Sequence, residues 1–114
     1  MELEVKKPNR LEDGQHQGKI IGIEARDKPY EYLDIVVEEI PTGIRIKTGY
    51  PRILMKESKL GLLFKRFGTE LVEGTKVDPE KILLGKACSF IVMNEQTNRG
   101  TFPKIISESL KVKQ

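Results

Sequence analysis

The chain is expected to be mainly β: a five-stranded antiparallel barrel with one α-helix between the third and fourth strands. Two observations carry this expectation. Three strand-like runs of period two come first, then one run with helical spacing, then two more strand-like runs. The 114 residues suffice for one small domain with its own core. A small barrel with its helix in that place is the OB-fold, which presents a sheet face and two loops to its ligands.

Residues 1–13 are charged and read as an N-terminal arm, with a single domain over 14–114. The first strand is expected from Gln17 to Arg26, where Ile21, Ile23 and Ala25 alternate with Ile20, Gly22 and Glu24. Gly22 inside this run marks a bulge or sharp bend. After the break at Asp27-Lys28-Pro29, a second strand runs from Tyr30 to Glu39. Pro41-Thr42-Gly43 is the hairpin signal into a third, Ile44 to Tyr50, which Pro51 ends.

The helix is the clearest element. Leu60, Leu63, Phe64 and Phe67 follow the i, i+3, i+4, i+7 pattern, with Ser58 as N-cap and Gly68 as the stop. Its apolar stripe is expected to plug one end of the barrel. Asp78-Pro79-Glu80 starts a further helical turn that Gly85 ends. The fourth strand, Lys86 to Asn94, is apolar on both sides and is expected to be central or covered twice. Gln96 to Gly100 forms a polar turn, and the fifth strand runs from Thr101 to Ile106.

Composition narrows the chemistry. Twenty basic residues stand against 17 acidic ones, so attraction for polyanions must come from how the charges cluster. Cys88 is the single cysteine, which excludes an internal disulfide, and its strand setting suits a buried small side chain. His16 and Cys88 do not make a metal site, and no phosphate-binding glycine loop follows a strand, so neither metal nor cofactor is expected. Glu38 and Glu39 point to opposite faces and form no carboxylate dyad. His16 has no nucleophile partner in the sequence pattern. These readings point to a non-enzymatic protein. Without an apolar leader or a span of bilayer length, a cytoplasmic location with no membrane partner is expected.

A binding constellation is better supported. Mapped onto the barrel, the first loop supplies Arg26, Lys28 and Tyr30, and the outer face of strand two supplies Tyr32. Strand three supplies Arg45 and Lys47, with Tyr50 and Arg52 just beyond. The last loop supplies Asn94, Asn98 and Arg99, followed by Phe102. Aromatic rings offer flat faces for bases, and cations follow phosphates. All three tyrosines fall within this surface. Asp34 and Glu38 share the face and oppose phosphate. A Tyr-Asp-basic network across the strands accounts for the same residues structurally.

The chain resembles small OB-fold single-stranded DNA-binding proteins of phage and archaeal type. The resemblance rests on Gly18 to Glu24, Tyr30 to Ile35, Ser58 to Leu63 with Phe67-Gly68, Leu84-Gly85-Lys86 and Gly100-Thr101-Phe102. It implies sequence-tolerant binding of single-stranded DNA, or else RNA, in replication, recombination or repair. The chain departs from that group in having no Trp and a basic C-terminal stretch, Lys111 to Gln114. The alternative reading is a protein-interaction or homo-oligomeric assembly module that uses the same barrel without nucleic acid.

Overall fold

The structure, a computed structural model, describes residues 1–5 and 10–113. Among these residues six antiparallel strands form one sheet: β1 (Gly14–Arg26), β2 (Tyr32–Ile40), β3 (Arg45–Pro51), β4 (Ala87–Thr97), β5 (Gly100–Ile105) and β6 (Lys111–Val112). Helices α1 (Lys59–Arg66) and α2 (Pro79–Leu83) lie between β3 and β4, and one 3-10 turn covers Ser107–Ser109. The strand order is β3-β2-β1-β4-β5, with β6 added to β4. β3 and β5 end this path. They come close to one another, yet among the described residues no ladder joins them, so the sheet is not closed.

The first strand does the bending. Its lower half, Gly14–Lys19, pairs with β4, while Gln17–Arg26 pairs with β2. The register shifts between Ile20 and Gly22, leaving Ile21 as the extra residue of a bulge. A bulge bends its strand and strengthens the local twist, which lets β1 belong to both halves of the sheet.

Alternation then sorts the faces. On β2, Leu33, Ile35 and Val37 are buried while Tyr32, Asp34, Val36 and Glu38 are half-buried. The core joins these to Ile20, Ile46, Phe90, Val92 and Ile105. Helix α1 adds Leu60, Leu63, Phe64 and its cap Phe67. Each such side chain, fully buried, is worth about 1.5–3 kcal/mol. Ser58 Oγ accepts from Gly61 N at 3.0 Å, and Gly68 takes the left-handed φ of +86° just past the last turn. Gly61 is required for a different reason. A Cβ there would lie 1.8 Å from the Met55 carbonyl oxygen, so the loop before α1 can cross the helix only at glycine.

The C-terminal segment is tied down by polar bonds. The Ser107 carbonyl accepts from the Tyr50 hydroxyl at 2.6 Å and from Arg66 Nη2 at 3.1 Å, and Arg66 Nε donates to Leu110 O at 2.7 Å.

The last residues of the expected arm pack against the sheet: Leu11 is buried, and Asp13 Oδ1 accepts from Asn94 N at 2.7 Å and from Asn94 Nδ2 at 2.9 Å. Those bonds hold the Asp13 carboxyl below its ordinary range, the Asn94 backbone N–H most of all. The rest of the expected arm includes residues 6–9, which lie outside the described residues. Pro51 is the last residue of the β2–β3 ladder, where it faces Tyr32, and pairing ends there; a proline fits this place because β3 is an end strand. β4 is central, between β1 and β5, rather than covered twice, since Ile91 and Met93 are exposed. The polar turn is tighter than expected: Thr97 pairs with Gly100, so only Asn98 and Arg99 turn the chain.

Candidate nucleic-acid interface

The free ends of the sheet border a cleft of about 720 Å³. β1 to β3 give it one bank, with Arg26, Tyr32, Lys47 and Gly49. β4 and β5 give it the other, with Met93, Glu95 and Lys104. Lys59 of α1 and Glu108 of the 3-10 turn also line it.

On the β1–β3 bank the local sequence builds a plate. Arg26 and Tyr32 are register partners at the mouth of the first loop, and Asp34 follows Tyr32 on the same face. Arg26 donates from Nε to Asp34 Oδ2 at 3.0 Å and from Nη2 to Asp34 Oδ1 at 3.2 Å. Its guanidinium lies 4.8 Å from the centre of the Tyr32 ring. These bonds to Asp34 raise the Arg26 pKa further above its ordinary value. The group rests on Gly49. A Cβ at that position would stand 2.8 Å from Asp34 Oδ1 and 3.0 Å from a Tyr32 ring carbon. The Tyr-Asp-basic network considered from sequence therefore exists, with Arg26 as its cation.

The neighbouring cations are also paired. Lys47 Nζ donates to Glu24 Oε2 at 3.0 Å and Arg45 Nε to Glu38 Oε2 at 3.1 Å. Arg52 Nη2 donates to Asp27 Oδ1. Exposed pairs of this kind contribute only about 0–1 kcal/mol to stability, but they balance the charge of the face they occupy.

The expected site residues divide accordingly. Arg26, Tyr32 and Lys47 meet in the cleft. Lys28 and Tyr30 are exposed on the loop between β1 and β2, with Tyr30 71% accessible. Arg45 is held by Glu38 outside the cleft lining, and Arg52 by Asp27. Arg99 is exposed at the tip of the β4–β5 hairpin, and Phe102 is half-exposed on β5.

Tyr50 is the clear correction. It is 1% exposed, its hydroxyl is spent on Ser107, and burial pushes its phenol up to about 12. It offers no face for stacking. Tyr50 shares the parity of Ile46 and Thr48, both buried, so the pleat turns all three inward. Asn94 also has a bracing role: Nδ2 donates to Leu11 O at 3.0 Å and to Asp13 Oδ1.

Sequence reasoning misses Lys104, Met93, Gly49 and Lys59. Lys104 has the parity of Phe102 and faces Met93 across the ladder, a signal that can be read once the outward face of β5 is identified. Lys59 arrives only through the placement of α1.

The remaining reactive groups, His16 and Cys88, lie outside the cleft lining. His16 contacts the buried Glu39 carboxylate through Nδ1, bonds the Glu12 carbonyl through Nε2 at 2.7 Å, and stacks on Phe90 with ring centres 6.0 Å apart. Burial pushes the Cys88 thiol up to about 11. Among the described residues no three His, Cys, Asp or Glu side chains gather as a metal site, and no helix is long and apolar enough to cross a membrane. No protein-family model matches this chain, and no curated protein matches it either.

Proposed function

We propose that the protein is a non-enzymatic binder of single-stranded nucleic acid, DNA by preference, and that its sheet is an OB-type barrel left open between β3 and β5. The strand order, the bulge in β1, the helix between β3 and β4 and the closeness of β3 to β5 support the barrel. The observation that carries the function is the Tyr32–Arg26 plate set in an open cleft beside further cations. A ring held flat by a guanidinium is already ordered, so a base that stacks there loses little side-chain entropy. An open cleft suits a polymer better than a small molecule, which needs enclosure.

The test is fluorescence anisotropy of a labelled oligo-dT titrated with protein at low salt. Saturable binding that weakens as salt rises supports the reading. A flat titration at low salt refutes it. A flat titration from a protein that light scattering finds oligomeric would favour the assembly reading instead.

A further inference from the structure

The two banks of the cleft carry their charges differently. On the β1–β3 bank the cleft-lining cations Arg26 and Lys47 have carboxylates at hydrogen-bonding distance, Asp34 at 3.0 Å and Glu24 at 3.0 Å, and Arg45, beyond the lining, has Glu38 at 3.1 Å. Across the cleft Lys104, and beyond its lining the hairpin-tip Arg99, have no carboxylate within ion-pair distance among the described residues. Glu95 lines the same bank, and Glu108 also lines the cleft, 3.9 Å from Lys59.

A phosphate that approaches Lys47 or Arg45 must displace an acid already in place, so little net charge is neutralised and few counterions are released. A phosphate that approaches Lys104 displaces only solvent and salt. We infer that a bound single strand runs its phosphates along the β4–β5 bank, on Lys104 and Arg99, and turns its bases toward Tyr32 on the charge-balanced β1–β3 bank. Glu24 and Glu38 then act as internal competitors that keep the β3 cations from gripping phosphate. The inference rests on the proposed function and adds the orientation of the ligand.

Salt dependence of oligo-dT binding separates the two banks. The log–log slope for a single strand changes by about 0.7 for each phosphate that is no longer neutralised. Lys104→Ala and Arg99→Ala are each expected to shallow the slope by about that amount. Lys47→Ala should leave it unchanged, and Glu24→Gln, which frees Lys47, should steepen it and tighten binding. All four positions are exposed, and thermal melts verify that each variant folds. Lys47→Ala shallowing the slope while Lys104→Ala does not would overturn the inference with the proposed function intact. Absence of wild-type binding would remove both.

Discussion

The β1–β3 bank and the β4–β5 bank use the same residue types to different ends. On the first, aromatic and charged side chains are bonded to one another, Arg26 to Asp34 and Tyr32, Lys47 to Glu24. Beneath it, Tyr50 anchors β3 to the Ser107 carbonyl. The second bank is a hairpin whose outward groups, Met93, Phe102, Lys104 and Arg99, are exposed, with no ion pair to Lys104 or Arg99 among the described residues. One bank is bonded within itself and the other carries cations without a carboxylate partner among the described residues. Preorganised flat groups suit stacking, and uncompensated cations suit phosphate.

The largest effect expected is on the frame itself. Tyr50 and Cys88 have raised values in the fold, so the stability of their neutral forms is full below the unfolded values and is lost as pH rises through the folded ones. The windows are 9.0 to about 11 for Cys88 and 10.0 to about 12 for Tyr50. The melting temperature should fall above pH 9, and Tyr50→Phe should remove the upper part of that fall. A fall unaltered by Tyr50→Phe would disconnect this ring from the β1–β3 bank.

Next comes Tyr32→Ala. Loss of one stacking ring should weaken oligo-dT binding by about 1–3 kcal/mol with little change in melting temperature, because the ring lies on the outer face. An equal loss of stability would make the plate a structural device. At neutral pH, Tyr50→Phe should cost about 1 kcal/mol of stability through removal of the bond to Ser107 and leave affinity untouched. Weakened binding would return Tyr50 to the interface. The smallest effect belongs to Gly49→Ala. The added methyl pushes on the Asp34 carboxylate and the Tyr32 ring rather than on backbone, so binding should loosen less than in Tyr32→Ala while the fold persists by circular dichroism.

The sequence makes some of this legible and leaves the rest to the register. The period of α1, the cap at Ser58 and the bulge at Gly22 are local, and a local pattern is all that each needs. Arg45 and Glu38 face each other across one hairpin, so that pair follows from the turn. Lys47 and Glu24 belong to non-adjacent strands and meet only because β2 brings β1 and β3 into one register. Tyr50 is readable yet easily misassigned. The alternation that places Ile46 and Thr48 inside places Tyr50 inside too, and clustering with two outward tyrosines masks it. Met93 and Lys104 stay hidden as long as β4 is taken to be twice covered, since nothing in an apolar strand states that one face lacks a neighbour.

The most direct measurement is an amide NMR titration of the protein with unlabelled oligo-dT. The account predicts shifts concentrated at Tyr32, Asp34, Lys47, Gly49 and Met93–Glu95 with Phe102 and Lys104, and quiet amides in the apolar groove between residues 54–57 and 71–77. Shifts confined to that groove, or no shifts at all, would contradict it.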